Sequence, residues 1–280
     1  MADDALLERL AALPCWQGTV SLEPLTGGMT NLAFVAVDRG NKFVVRCGGD
    51  IPAHHVFRDR ERAASRAAFE AGLSPELVHV EPGITVLRFI EGRVLEEADL
   101  AANLDRLVPL LKTCHREVGR HLRGPSSMFW VFHVLREYVR TADADRRYLA
   151  VIDELERRQV PLSIVFGHHD LLPANLIDDG KRLWLIDWEY GAFGTPMFDL
   201  ANLSTNGEFD AAQDAALLAA YFDGSVGPDL KDSFAAMRAA SILREALWAL
   251  VSKIHLRTPG VDYQAHARKY LDRFDRLDLA

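Results

Sequence analysis

Three oxygen-bearing side chains recur at a telling spacing in the second half of the chain. Asp170 follows His168-His169, Asn175 stands five residues later, and Asp187 closes the apolar run Leu185-Ile186 twelve residues beyond that. The pattern has the form H-x-D-x-x-x-x-N with a distant aspartate. Phosphoryl transfer needs a group that accepts the proton of the attacking hydroxyl and a divalent cation that holds the triphosphate. A loop carboxylate at Asp170 can serve as catalytic base. An amide oxygen at Asn175 and a carboxylate at Asp187 are the hard ligands that Mg²⁺ takes. Each residue also has an ordinary explanation: Asp170 a helix cap, Asn175 a turn residue, Asp187 a strand-end capping acid. The ordered set is what points to chemistry.

Two further signals lie upstream. Leu25-Thr26-Gly27-Gly28-Met29-Thr30-Asn31 separates two extended runs. Its glycines let backbone N–H groups approach phosphates, although a Gly-Gly hairpin turn would read the same. No Gly-Lys-Ser/Thr follows, so it is not a Walker A loop. Val44-Val45-Arg46 ends a strand with a cation, and Glu61 lies on the next helix. Kinases hold the α- and β-phosphates with such a cation–glutamate pair. Arginine in place of lysine keeps that role, since it binds phosphate bidentately. A surface pair on the charged run Arg58-Asp59-Arg60-Glu61-Arg62 is the alternative.

The elements that must position these residues fall into two parts. Helix signals cover Ala5–Leu13, stopped by Pro14, and Phe57–Ala71, stopped by Gly72. Strand signals cover Thr19–Leu25, Leu32–Asp38, Phe43–Arg46, Pro75–Val80 and Ile84–Ile90, with a hairpin at Arg39-Gly40-Asn41-Lys42. Beyond a hinge candidate at Glu91-Gly92-Arg93 the periodicity turns helical: Ala98–His121, Met128–Thr141 and Asp143–Arg158. An extended island follows from Ser163 to Asp187. Four more helices are predicted, at Phe198–Thr205, Ala211–Tyr221, Leu230–His255 and Tyr263–Leu277. The expected class is α+β and bilobal: a small sheet-plus-helix lobe over residues 1–90, a larger helical lobe over 91–280.

The 280 residues are 49% hydrophobic and 26% charged, as in a globular chain able to bury a large core. A net charge of −8 argues against a nucleic-acid partner and suits a cationic substrate. Cys15, Cys47 and Cys114 are odd in number and form no CxxC pair, so neither a disulfide framework nor a zinc site is expected. Met1–Leu13 lacks the layout of a signal peptide, and no apolar run is long enough to span a membrane. These features point to a cytoplasmic protein without a membrane partner.

The residues resemble the choline/ethanolamine kinase branch of the aminoglycoside phosphotransferase superfamily. The resemblance rests on Gly27–Asn31, Phe43–Arg46, Arg88–Arg93, His168–Asn175, Ile186-Asp187-Trp188-Glu189-Tyr190-Gly191 and Phe198-Asp199-Leu200-Ala201-Asn202, scattered over roughly residues 20–255. It implies a bilobal protein-kinase-like fold with a five-stranded small lobe. It implies Mg-ATP as cofactor, with Gly28, Met29, Thr30 and Asn31 near phosphate, Arg46 and Glu61 positioning it, and the backbone around Arg88 to Ile90 receiving adenine. Asp170 would be the base, and Asn175 and Asp187 the metal ligands. A protein kinase fits less well: the loop reads His-His-Asp, the metal motif is Asp-Trp-Glu, and 187–199 leaves no room for a peptide platform.

The resemblance also implies a small cationic acceptor, choline or ethanolamine first, next to Asp170, Glu189, Tyr190 and Trp248. Quaternary ammonium groups are held by aromatic faces and carboxylates. Trp248 resembles one of two tryptophans lining the choline pocket, while Glu245 stands where the other would be. Trp248 also fits the apolar face of Ile242, Leu243, Ala246, Leu247, Leu250, Val251 and Ile254, which would make it core. Tyr263, Tyr270 and Asp199 are weaker acceptor candidates, and Asp199 could instead brace the catalytic loop or cap its helix. Thiamine, an aminoglycoside or a sugar are alternative acceptors. A nucleotide-binding module without catalysis is the alternative from another class.

Overall fold

The computed structural model describes residues 4–25, 32–256, 258 and 260–277. Helix α1 (Asp4–Ala11) precedes five strands, β1 (Ser21–Leu25), β2 (Leu32–Asp38), β3 (Asn41–Cys47), β4 (Leu77–Glu81) and β5 (Ile84–Arg88). They form one antiparallel sheet in the order β1-β2-β3-β5-β4. The β2–β3 turn places Arg39 and Gly40 at φ 48° and 80°, as a two-residue hairpin turn requires. Strand alternation sorts the side chains. Phe34, Ala36, Phe43, Val45, Cys47, Ile84 and Val86 pack with Leu10 and Leu13 in a small core. The intervening residues Ala33, Val44, Arg46 and Leu87 therefore face the opposite side, where they line a cavity.

Helix α2 (Arg58–Glu70) is inserted between β3 and β4. Its alanines Ala64, Ala67 and Ala68 pack in the large cluster formed with the helical part of the chain. The connection at Glu91-Gly92-Arg93 is pinned. A Cβ on Gly92 would lie 2.7 Å from the Asp178 carbonyl oxygen, so only glycine permits this approach. Strand β6 (Arg93–Val94) then pairs with β8 (Leu176–Asp178), which pairs with β9 (Leu183–Leu185). Between β6 and β8 lies β7 (Val165–Gly167), paired with β10 (Ala192–Gly194). The extended island is thus three short strands separated by loops rather than one extended segment.

The helix predicted over Ala98–His121 is divided. It comprises α3 (Glu97–Ala102), α4 (Leu104–Thr113), a π-helical turn over Cys114–Val118 and the short α5 (Gly119–His121). Asn103 leaves helical geometry at φ −115° and ψ 27°, and Pro109 removes one backbone donor inside α4. The remaining helices are α6 (Val131–Thr141), α7 (Arg147–Arg157), α8 (Pro196–Asn206), α9 (Ala211–Tyr221), α10 (Pro228–His255) and α11 (Tyr263–Asp275). Helix α10 runs through the large core, burying Phe234, Met237, Leu243, Leu247 and Val251. Among the described residues no helix is long and apolar enough to cross a membrane.

Candidate active site

A cavity of about 560 Å³ lies between the sheet and the helical part. Arg46, Arg88, Ile90, Asp170, Asn175, Asp187, Glu189, Tyr190 and Trp248 all line it, so residues separated by up to 200 positions converge on one space. Glu61 stands directly behind Arg46. Gly28, Met29, Thr30 and Asn31 lie outside the described residues.

The loop between β7 and β8 is fixed from below. Asp199, fully buried on α8, accepts hydrogen bonds from His168 N (2.9 Å) and His169 N (2.7 Å). His115 Nε2 lies 2.9 Å from the same carboxylate. His169 is held at φ 63°, a region costly for a residue with a Cβ. Burial disfavours charge on Asp199, but His169, His115 and His168 outweigh it and hold its pKa well below the usual range. Thr195, not Asp199, caps α8.

His168 and His169 are structural. His168 Nδ1 accepts from Asp170 N (3.3 Å), which leaves its Nε2–H to donate to Ile186 O (2.9 Å). His169 Nδ1 lies 3.1 Å from Tyr190 O, and its ring stacks on Phe129 with centroids 4.3 Å apart. Burial lowers both pKa values, that of His169 to about 4.

Asp170 faces the cavity from this loop. Asn175 Nδ2 donates to Asp170 O (2.9 Å) and to Asp170 Oδ2 (3.3 Å). Arg244, buried on α10, brings Nη1 to 3.4 Å from Asp170 Oδ1. Burial raises the Asp170 pKa to about 7, with Arg244 opposing and Glu245 and Asp187 adding to the rise. A carboxylate with that value can take up a proton near neutral pH. Asn175 turns its amide NH₂ toward Asp170, so its amide oxygen is the atom available to a cation.

Asp187 sits at φ 65° next to a charge cluster. Its Oδ1 is 2.9 Å from Arg46 Nη2, yet it is buried and accepts no directed hydrogen bond. A carboxylate and an amide side chain on one cavity form a donor set that fits Mg²⁺, which uses few protein ligands and fills the rest with phosphate and water. Arg46 Nη1 pairs with Glu61 Oε1 at 2.8 Å; both are largely buried, so this is not a surface pair. Burial disfavours charge on Arg46, but Asp187, Glu61 and Glu189 outweigh it and keep the guanidinium charged.

Arg58 belongs to this cluster and was not singled out by the sequence. Its Nη1 lies 2.5 Å from Glu61 Oε2 and 3.2 Å from Glu189 Oε2. Glu189 thereby lines the cavity paired with the arginines, 3.9 Å from Arg46 Nη2. Burial raises the Glu189 pKa, as does Asp187, and the arginines oppose both.

At the other end of the cavity α10 presents Arg244, Glu245 and Trp248. Trp248 follows Glu245 by three residues and Arg244 by four, so each shares a helix face with it, and all three line the cavity. Trp248 Nε1 donates to Tyr190 Oη (3.1 Å), and only 6% of the tryptophan is exposed. It is therefore both core and cavity wall. Arg244 lies over the Tyr190 ring, Cζ to centroid 4.5 Å. Glu245 Oε1 pairs with His266 Nε2 at 2.8 Å. Tyr263 and Tyr270 stand behind this wall, packed against Trp248 and His266, and do not line the cavity. At the opposite rim Arg88 N and Phe89 N donate to Glu76 O and Lys42 O. Among the described residues Ile90 N–H has no such backbone partner.

A family model for the phosphotransferase enzyme family matches residues 21–239. The chain is 24% identical over 276 residues to protein LicA of Haemophilus influenzae, spanning 90% of this chain and 78% of that one. It is similar to the crystal structure of a choline/ethanolamine kinase family protein from Mesorhizobium loti, with 29% identity and a TM-score of 0.78, over 97% of this chain and 93% of the other. A LicA solved in complex with AMP matches with 23% identity and a TM-score of 0.75, over 98% of both chains. The sheet lobe and helical lobe are thus those of the bilobal kinase-like fold. The match covers most of the chain and includes every cavity-lining element up to the middle of α10, so the chain belongs to the phosphotransferase enzyme family, as a small-molecule phosphotransferase with an alcohol group as acceptor.

Proposed function

We propose that the protein is an ATP-dependent kinase that phosphorylates the hydroxyl of a small amino alcohol of the choline and ethanolamine type. The observation that carries this reading is the convergence of Asp170, Asn175, Asp187 and the Arg46–Glu61 pair on one cavity. The reading divides the chain near residue 91 into a nucleotide-binding lobe and a catalytic, acceptor-binding lobe.

In this reading adenine lies along Arg88 to Ile90, with Ile90 N–H free to bond its edge. Arg46, oriented by Glu61, contacts the α- and β-phosphates. Glu189 and Arg58 fix that pair from behind, so little motion is needed to place the guanidinium. Asn175 and Asp187 would hold Mg²⁺, which supplies neutralisation of the triphosphate when bound. Asp170 accepts a hydrogen bond from the acceptor hydroxyl and takes its proton as the oxygen forms a bond to the γ-phosphorus. The bond from that phosphorus to the β–γ bridging oxygen breaks, and ADP leaves. The similarity to a choline/ethanolamine kinase family protein at 29% identity supports an amino-alcohol acceptor over an aminoglycoside.

The test is Mg-ATP-dependent ADP release against choline, ethanolamine, thiamine, kanamycin and a hexose. Turnover confined to the amino alcohols is expected. In the same assay Asp170→Asn should lower kcat by about 100-fold or more while the protein stays folded. Normal turnover by that variant would remove Asp170 from the role of base.

A further inference from the structure

The aromatic rings at the acceptor end are already partly engaged by cationic and imidazole groups. A quaternary ammonium is held by open π faces of Trp or Tyr. Here the Tyr190 face carries the Arg244 guanidinium at 4.5 Å, and that cation occupies the face and repels a second one. The Trp248 ring is met by the tilted His54 ring, centroids 5.2 Å apart. Its remaining neighbours, Tyr263 and His266, approach edge-on at 6.0 and 6.3 Å. Beside these rings the cavity is also lined by the carboxylate of Glu245. Among the described residues it makes one hydrogen bond, through Oε1 to His266, and its side chain is 14% exposed. Glu245 therefore brings to the cavity wall a carboxylate held on a helix, with Oε1 engaged by His266 and Oε2 left as a further acceptor.

We propose that Glu245, oriented by His266, is the specificity-determining residue for the acceptor and selects an alcohol whose ammonium carries N–H groups, a primary amine above a quaternary one. The inference rests on the kinase reading and deepens it. A primary ammonium donates to Glu245 Oε2 while its hydroxyl reaches Asp170. A trimethylammonium has no donor: it would bury Oε2 without a partner, beside a Tyr190 ring that already carries the Arg244 guanidinium. Sites built to hydrogen-bond a substrate reject the analogue lacking that donor far more strongly than hydrophobic pockets reject a change in size.

The experiment measures kcat and KM with Mg-ATP for ethanolamine, N,N-dimethylethanolamine and choline. The wild type and Glu245→Gln are assayed, and the KM for ATP is determined in parallel. The expected order of kcat/KM is ethanolamine, then dimethylethanolamine, then choline. Glu245→Gln is expected to raise the KM for ethanolamine by about 10- to 100-fold, as loss of a charged hydrogen bond predicts, and to leave the KM for ATP unchanged. Glu245→Asp should recover part of the loss. His266→Ala, which frees Glu245 without removing it, should give a smaller rise in the same KM and serves if the glutamine variant folds poorly. Choline preferred by the wild type, or an ethanolamine KM unmoved by Glu245→Gln, overturns the inference and leaves the kinase reading standing. No turnover of any amino alcohol overturns both.

Discussion

Asp199 gives a sharp test of how the catalytic loop is held. Replacing it by asparagine preserves shape but converts one of its two acceptor oxygens into a donor. Three donors now share the carboxylate: His169 N on Oδ1, and His168 N with His115 Nε2 on Oδ2. An amide that keeps the oxygen facing the latter two turns its NH₂ toward His169 N. That buried donor is then unsatisfied, at about 1–3 kcal/mol, and the two retained bonds lose their charge assistance, at roughly 1 kcal/mol each. Relief of the buried charge offsets part of this, so the net destabilisation should be about 2–4 kcal/mol. The bond that is lost holds His169 at φ 63°, one residue before the base. Relaxation there displaces Asp170, and a shift of about 1 Å in a reacting group can cost about 100-fold in rate. The measurements are urea unfolding and kcat with Mg-ATP. Because the folded pKa of Asp199 is depressed, its contribution is full above the unfolded value and is lost as pH falls below about 4, so the variant should also show a flatter acid limb of stability. An unchanged unfolding midpoint with kcat within twofold of wild type would refute the bracing role.

Two other perturbations follow from the same geometry. Arg46→Lys keeps the charge but cannot span Glu61 and Asp187 at once, so the KM for ATP should rise by about tenfold or more; an unchanged value would place the phosphates elsewhere. His54, buried against Tyr138, Ser252 and Trp248, has its pKa lowered to about 3, first by burial and then by Arg244, His255 and His55. It therefore stabilises the fold fully above about pH 6.5 and loses that contribution as pH falls from there toward 3, with a slope of about 1.4 kcal/mol per pH unit. His54→Asn should remove one such slope from the pH dependence of unfolding between pH 6 and 4.5, and an identical slope in the two proteins would refute it.

The sheet was legible because β2, β3 and β5 alternate and the Arg39-Gly40 turn sets the β2–β3 register. The same alternation sets Arg46 on the face opposite Phe43, Val45 and Cys47. The helix break at 103–118 was not legible. Asn103 and Pro109 are weak stops, and the π-helical turn carries His115, whose partners Asp199 and Tyr221 lie 84 and 106 residues away. Arg58 was hidden inside a charge-dense run. Its i, i+3 relation to Glu61 was visible, but the partner that buries it, Glu189, is 131 residues downstream. Arg244 did leave a signal: with Glu245 it interrupts an otherwise apolar stretch of α10, and a buried charge in such a stretch has to find a partner. Which partner it finds, Asp170 or a surface acid, only the packing of α10 against the loop decides.

The short link between β3 and α2 explains why the two ends of the cavity behave as one site. Asp50 Oδ1 accepts from Arg58 N at 2.8 Å, and Gly49 O accepts from Arg58 Nε at 2.8 Å, which aims the guanidinium at Glu61 and Glu189. Four residues earlier, His54 inserts between Tyr138 and Ser252 of the helical lobe and packs on Trp248. One segment therefore anchors the phosphate-side charges and backs the acceptor-side wall. The charges it organises are two arginines against Glu61 and Asp187, with Glu189, whose pKa burial raises, completing a largely buried cluster. Asp187 Oδ1 is buried at the edge of this cluster, 2.9 Å from Arg46 Nη2. In the proposed reading Asp187 therefore serves two partners, Arg46 and the Mg²⁺ that Asp187 and Asn175 would hold.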